Sequence, residues 1–328
     1  MQKPRIGVLM PVYNLERYVI RSVDSILNQT FEDFDFWIID DGSTDGTFDL
    51  LKEIKDPRIK LVQNPLNMGF VNTLNAALDS MDYEFIARMD GDDFAMPDRF
   101  EKQIQYLDEN QSCVLVGSQS TWVKMDEYGT VTDRTYWKYP VTDPALRASL
   151  FWNASFVHSS VIFRRFSLGD LRYDSSFDVA CEDWDLWIRL SHKGSLHNLD
   201  EPLMECLIRD DSMHRHNPSR TNQLYCKMIK FNLSRLGLDQ DIISDLTTEY
   251  CGCKFAASFD SLRFAYMNLI NHIDDARVKR QMASICGLRF LGQIRDNDLG
   301  KLNALSVFLG PMSPGYAGLH KIKSYLFR

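Results

Sequence analysis

No stretch of the 328 residues stays apolar for long. A membrane-crossing helix needs roughly 18–20 consecutive apolar residues, and no run approaches that, so no transmembrane anchor is expected. Positive charge is also scarce. Lys and Arg number 37 against 45 Asp and Glu, a net charge of −8, whereas a nucleic-acid binder would normally carry a basic face. The cysteines are seven, an odd count at irregular spacing, which suits reduced thiols in a cytoplasmic protein better than a disulfide framework. Cys251-Gly252-Cys253 has no second pair at zinc spacing and makes a poor metal site. Met1 to Arg5 lacks a signal-peptide pattern and runs directly into Ile6–Met10. There is no internal repeat and no low-complexity linker. What remains is ordinary for a globular protein, 45% hydrophobic and 12% aromatic, in a length that suggests two domains.

Read in order, strands and helices alternate. Ile6–Met10 reads as a strand that leaves through Pro11-Val12-Tyr13-Asn14, with Asn14 expected to cap the helix that follows. Tyr18/Val19, Val23 and Ile26/Leu27 form that helix's apolar stripe. Phe36–Ile39 is a continuous apolar run, expected to be buried on both faces, and it stops at the turn-forming Asp40-Asp41-Gly42-Ser43-Thr44-Asp45-Gly46. A short helix over 47–54, a strand over 59–62 and a helix around 71–78 follow. Phe85–Met89 is then a strand ending in Asp90-Gly91-Asp92-Asp93. Three such alternations in ninety residues predict an α/β fold with a doubly wound, mostly parallel sheet.

Further on, a helix over 100–107 and a strand over 113–117 precede an irregular aromatic section, 118–139, with a hairpin turn expected at Glu127-Tyr128-Gly129. Residues 145–151 read as helix and His158–Arg165 as strand. Glu182–Leu190 is a helix that opens with acids, where its dipole favours them. Met204–Arg209 is the last strand-like run. From about residue 221 the pattern is helical, so the expected division is a domain over 1–216 and a mainly helical C-terminal domain over 217–328.

Three acidic clusters, Asp40-Asp41, Asp90–Asp93 and Glu182–Asp185, each fall at a strand end or a helix start. In a wound sheet the carboxyl ends of strands share one edge, and ligands bind just beyond it. An Asp-x-Asp there suits a hard divalent cation that takes further oxygens from a diphosphate. It equally suits a solvated turn, and its neighbours decide. A Gly-rich, Lys- or Arg-bearing phosphate loop after the first strand, which a nucleotidyltransferase would normally show, is missing.

The ordered set Pro11–Asn14, Ser25–Phe31, Asp40–Thr47, Asn67-Met68-Gly69, Met89–Asp93 and Glu182–Trp187 resembles the inverting family 2 glycosyltransferases of the GT-A fold. The resemblance spans roughly residues 4–216. It implies a nucleotide-sugar donor, a UDP-sugar, and a glycan or lipid-linked acceptor, with no part for nucleic acid. Pro11, Val12, Tyr13 and Asn14 would cradle the nucleotide together with Asn67 and Gly69. Asp41 would accept a hydrogen bond from the uracil imide, Asp90 would face the ribose, and Asp92 would hold Mn2+ or Mg2+. Asp183 would be the general base, flanked on the acceptor side by Glu182 and Trp184. Relatives usually carry an Arg just before the Asn at position 75; here the sequence is Thr73-Leu74-Asn75, which leaves Arg88 as a candidate cation for the diphosphate. His214, in the polar stretch 209–216, is a candidate third metal ligand or a surface histidine. Trp184 and Trp187 read either as core or, one of them, as an apolar platform for the acceptor sugar. A partner subunit that binds nucleotide-sugar without turning it over is the non-enzymatic alternative.

The tail over 299–328 has no Asp or Glu but carries Lys301, Lys321, Lys323 and Arg328 among apolar residues. It reads either as a surface for peripheral contact with the inner face of the plasma membrane or as packing that closes the helical domain.

Overall fold

The computed structural model describes residues 3–126, 129–177, 180–209, 218–236, 238–250, 265, 268–270 and 273–283. All seven residues of strand β1 (Ile6–Val12) are buried, as expected of a strand covered on both faces. Parallel strands β2 (Phe34–Asp40) and β4 (Phe85–Arg88) flank it. Strand β3 (Ile59–Gln63) pairs parallel with β2 as a partly exposed edge. Helices α1 (Val19–Leu27), α2 (Thr47–Glu53) and α3 (Phe70–Ser80) make the crossovers. On α1 the predicted stripe is real: Val19, Val23 and Ile26 are fully buried, each worth about 1.5–3 kcal/mol of transfer energy.

Past β4 the sheet becomes mixed. Its order is β3-β2-β1-β4-β8-β6-β9-β5, with β7 paired to β6 off that path. Strand β8 (Ile162–Arg164) runs antiparallel to both β4 and the 13-residue β6 (Cys113–Met125). Strand β9 (Ser195–Leu207) lies parallel to β6, and the two-residue β5 (Phe94–Ala95) adds to it antiparallel. Strand β7 (Val131–Trp137) closes a hairpin with the outer half of β6. Helices α4 (Arg99–Glu109), α5 (Asp143–Ser149), α6 (Arg165–Leu168) and α7 (Glu182–Ser191) complete this part of the chain.

Several expectations are corrected. Asn14 does not cap α1: the helix starts at Val19, while Asn14 sits at φ +53 and takes a hydrogen bond from Thr44 N at 2.8 Å. His158–Ser160 is a 3-10 turn, and only Ile162–Arg164 is strand. The final strand begins at Ser195 rather than Met204. The sequence motif around Gln29 has a structural role. Its buried side chain donates to the carbonyls of Ser25 and Met96, and accepts from Phe100 N at the start of α4. It ties one crossover helix to the loop after β5.

The chain divides into two compact units, one of residues 1–143 with 154–224 and the other of 144–153 with 225–328. In the second unit the described regular structure is helical, including most of α8 (Pro218–Ser234) and all of α9 (Gln240–Tyr250). There Trp152 is buried and donates to Met282 Sδ at 3.3 Å. Cys113, Cys181 and Cys206 are free and buried. Cys226 is disulfide-bonded, contrary to the expectation of reduced thiols throughout. No described helix is long and apolar enough to cross a membrane. His214, Cys251, Cys253 and the basic tail lie outside the described residues.

Candidate active site

The carboxyl ends of β1, β2 and β4 stand side by side. Val12 pairs with Asp40 and Leu9 with Arg88, so the loops that follow share one sheet edge, the place where wound sheets bind ligands. The β1 and β2 loops are laced together: Asn14 N donates to Ser43 Oγ, Leu15 N to Thr47 Oγ1, and Gly46 N to Glu16 Oε2. Pro11 and Val12 are buried beneath this lacing, while Tyr13 is 43% exposed at its surface.

Asp40 and Asp41 are both buried but differ in their partners. Asp40 Oδ2 accepts from Ser43 N and Gln63 Nε2, and its Oδ1 has no hydrogen-bond partner. Asp41 gathers the loop over 64–69: Oδ1 accepts from Asn64 Nδ2 at 2.7 Å and Met68 N at 2.9 Å, and Oδ2 from Gly69 N at 3.0 Å. Asn67 supports the same turn, its Oδ1 accepting from Gly69 N. Two glycines make the arrangement possible. Gly69, at φ +87, supplies a left-handed torsion. Gly42, at φ +73, lies so close to the Leu66 backbone that a Cβ would come within 2.7 Å of Leu66 C.

At the end of β4, Asp90 is held by Arg88, whose Nη2 donates to Oδ1 at 2.5 Å. Arg88 is wholly buried, with its guanidinium 5.3 Å from the Phe70 ring centroid, so its charge reaches the site through Asp90. Asp92 is ion-paired with Arg209 Nε at 2.9 Å. Burial first, and then the charge of Asp90, push its carboxyl up to about 6. Asp93 serves a different purpose. It is buried, accepts from Ser159 Oγ and Leu207 N, and so clasps the acidic turn to the end of β9.

The third acidic cluster comes from α7. Cys181, in left-handed backbone at φ +74, leads directly into Glu182 and Asp183. Asp183 is partly exposed, and its Oδ1 accepts from Trp184 N at 2.6 Å. Glu182 is buried. Burial and the charge of Asp183 hold its carboxyl well above the usual carboxylate range. His158 Nδ1 lies 3.9 Å from Glu182 Oε1, and His158 Nε2 lies 2.9 Å from the Tyr173 hydroxyl. Tyr173 is fixed in turn by Asn75, which pairs with both its backbone N–H and its C=O at 2.9 Å. Asn75, Tyr173 and His158 thus form a shell behind the acids that sequence patterning did not expose. Trp184 and Trp187 are both fully buried. Of the two alternatives for these rings, the structure favours core packing.

The donor set at Asp92 fits a hard divalent cation. A half-buried carboxylate beside a second carboxylate carries an excess of negative charge, and it has already attracted the Arg209 guanidinium. Among the described residues no three His, Cys, Asp or Glu side chains converge as a complete metal cage. A cation there would therefore draw most of its ligands from water and phosphate, as Mg2+ does readily.

Residues 7–171 match the model of a family described as glycosyl transferase family 2. An uncharacterised glycosyltransferase of Haemophilus influenzae is 31% identical over 258 residues, covering 74% of this chain and 79% of that one. The O-antigen biosynthesis glycosyltransferase WbnJ of Escherichia coli is 31% identical over 256 residues, 76% and 95% of the two chains. Among solved structures, residues 1–349 of S. aureus TarS in complex with UDP-GlcNAc superpose with a TM-score of 0.55 at 15% identity, over 96% of this chain and 92% of that one. The chain spans 55% of a longer TarS structure. A mannosyltransferase of Pyrobaculum calidifontis, in complex with GDP-Man and Mn2+, gives 0.52 at 17% identity, over 99% and 86%. The sheet has the GT-A fold, and the chain belongs to glycosyl transferase family 2.

Proposed function

We propose that this glycosyltransferase is metal-dependent and inverting, and that it moves a sugar from a UDP-sugar to a hydroxyl of a glycan or lipid-linked acceptor. The observation that carries this most directly is the pairing of a half-buried acidic turn, Asp90 to Asp92, with a partly exposed carboxylate, Asp183, at the start of α7. Residues 1–216 would perform the reaction, and 217–328 would form a helical appendage. The enzyme would work in the cytoplasm or at the inner face of the plasma membrane.

Displacing a nucleoside diphosphate from a sugar builds oxocarbenium character on the sugar, as in glycoside hydrolysis, and negative charge on the leaving group. Asp92 would hold Mn2+ or Mg2+, which supplies Lewis-acid neutralisation of that diphosphate. Tyr13, Asn14 and Asn67 would border the nucleotide, above Pro11, Val12 and Gly69. Asp41 retains lone-pair capacity beyond its three loop donors and would accept from the N3–H of uracil. Cytosine has no proton at that nitrogen, so it would meet the carboxylate lone pair to lone pair. Asp90, braced by Arg88, would face the ribose.

Asp183 would take the acceptor hydroxyl's proton as its oxygen bonds to the sugar carbon. The bond from that carbon to the diphosphate breaks, and its electron pair leaves with UDP. A positioned base of this kind is worth roughly 10²–10⁴-fold. A single displacement from the face opposite the leaving group inverts the carbon. Glu182, buried against His158, would keep the base correctly placed on the acceptor side.

Thermal stabilisation tests the donor and metal together. UDP, GDP, CMP and dTDP are compared with and without Mn2+, in the native protein and in Asp92→Ala. A ligand that binds only the folded state raises the unfolding midpoint with its concentration over Kd. The expected result is a shift selective for UDP, dependent on Mn2+ and absent in Asp92→Ala. A UDP shift that is unchanged in Asp92→Ala would remove Asp92 from the metal site.

A further inference from the structure

Phe70, the first residue of α3, stands between the nucleotide loops and the third acidic cluster, and the chemistry above gives it no task. The peptide before it belongs to the Asp41 turn. Gly69 N is shared there between Asp41 Oδ2 at 3.0 Å and Asn67 Oδ1 at 2.9 Å. The ring itself is half-buried, and two polar groups meet it. The Arg88 guanidinium lies 5.3 Å from the ring centroid, within the range of a cation–π contact. The His158 imidazole packs against it nearly at right angles, with centroids 6.0 Å apart and planes at 81°, an edge-to-face arrangement.

Each of these groups leads to a different carboxylate. Arg88 holds Asp90 through Nη2. It also acts on Glu182: burial and the charge of Asp183 hold that carboxyl up, and the Arg88 charge pulls against them. His158 faces Glu182 at 3.9 Å through Nδ1 and the Tyr173 hydroxyl at 2.9 Å through Nε2. Trp187 adds a second edge-to-face contact at 5.9 Å, and the imidazole is only 11% exposed. The same helix reaches this shell again through Asn75, which pairs with the Tyr173 backbone. So α3 begins on the Asp41 turn and leans on the shell behind Glu182 and Asp183.

We propose that Phe70 is a positioning residue that couples occupancy of the nucleotide loops to the placement of His158, and through it of Glu182 and Asp183. A uracil N3–H arriving at Asp41 adds a further donor to that carboxylate and competes with Gly69 N, which has Asn67 Oδ1 to fall back on. The Gly69–Phe70 peptide shifts and the ring turns with it. Cation–π and edge-to-face contacts depend on where a ring presents its face and its edge, so Arg88 and His158 follow. A leucine of similar bulk has neither face nor edge to present. The coupling is reciprocal, so a change at His158 alters UDP affinity by the factor that UDP exerts on His158. This rests on the glycosyltransferase reading and deepens it by tying the setting of the base to the presence of the donor.

The test uses the full chain with isotope-labelled histidine, the His158 ring signal being assigned with His158→Gln. UDP is added with Mg2+, since Mn2+ would broaden the spectrum. The expected result is a movement of the His158 signal at saturating UDP in the native protein, most of it lost in Phe70→Leu and restored in Phe70→Tyr. Phe70→Met, aliphatic and more adaptable, replaces Phe70→Leu should that variant not fold. Calorimetric titration with UDP completes a double-mutant cycle. His158→Gln should weaken UDP binding by about fivefold in the native background, the lower end of typical coupling, and by much less in the Phe70→Leu background. A stationary His158 signal in UDP-saturated native protein, an undiminished movement in Phe70→Leu, or additive effects of the two substitutions overturns the proposal. The UDP-induced thermal shift is recorded in parallel. Its absence would overturn the donor reading and the coupling with it, whereas its presence beside a stationary His158 signal would overturn the coupling alone.

Discussion

Replacing Asn75 by Ala should damage the shell behind Glu182 and Asp183 without touching either acid. Asn75 pairs with the Tyr173 backbone much as a neighbouring strand would, donating to its C=O and accepting from its N–H, both at 2.9 Å. Tyr173 is only 3% exposed, so water can replace those bonds poorly. Two neutral hydrogen bonds contribute roughly 1 kcal/mol each, and a buried backbone group left unpaired costs about 1–3 kcal/mol. Partial access of water to the half-buried Asn75 position trims the upper end, giving an expected loss of about 2–4 kcal/mol. For a unit of this size each kcal/mol lowers the midpoint by roughly 2–4 °C. Calorimetry or urea unfolding of the native protein, Asn75→Ala and Asn75→Asp reads it out. The Asp variant keeps an acceptor for Tyr173 N–H but turns a lone pair toward its C=O, so it should fall between the other two or below both. Because the Tyr173 hydroxyl lies 2.9 Å from His158 Nε2, Asn75→Ala should also lower turnover more than it weakens UDP binding. Stability within about 0.5 kcal/mol of the native protein, the usual range for an inert surface change, would refute the reasoning and leave Tyr173 held by packing alone.

Other outcomes follow from the same geometry. Asp183→Asn should keep the UDP-induced thermal shift and lose transfer by about 10²–10⁴-fold; near-normal transfer would disqualify it as the base. Gly42→Ala forces a left-handed Ala at roughly 1–2 kcal/mol and drives the Leu66–Asn67 backbone away, so it should lose stability and UDP affinity together, read by calorimetry with UDP titration. His197 stacks on Tyr106 at 4.2 Å, and burial holds its pKa below 6.5. The unfolded chain therefore takes up that proton first. This contribution to stability is present above pH 6.5 and is lost as pH falls through the lowered folded value. Urea midpoints at pH 7.5 and 5 should differ less in His197→Phe than in the native protein.

The parts of the fold governed by local pattern were legible in the sequence. β1, β2 and β4 are apolar runs that stop at turn residues or acids, and α1 carries a helical stripe, so neighbours in the chain suffice to define them. The second half was harder. β9 opens with Ser195-Leu196-His197-Asn198, a mixed run that is strand because β6 lies beside it. β5 is two residues long and exists only through its pairing with β9. At the site, the acids announced themselves by position, whereas their supports did not. Arg209 came to Asp92 from beyond β9, and Asn75 reached Tyr173 across 98 residues. An Asn on a helix carries no sign of the backbone it will pair with. The aromatic hairpin was visible as a cluster, but only the strand register shows that Trp122 and Trp137 share a face. Asn14 was misjudged because a polar residue before an apolar stripe imitates a cap, while its left-handed torsion belongs to a loop.

The left-handed torsion of Cys181 bears on how such an enzyme can change its target. A non-glycine residue in that region carries strain of order 1–3 kcal/mol, and here it stands one residue ahead of Glu182 and two ahead of Asp183. The direction in which α7 sets out, and with it the aim of both carboxylates, is inherited from a single backbone angle. On the role proposed for Asp183, regiochemistry, the choice of which hydroxyl on a sugar ring is deprotonated, would be adjustable at one joint while the sheet, the loops at its carboxyl edge and the core tryptophans keep their places.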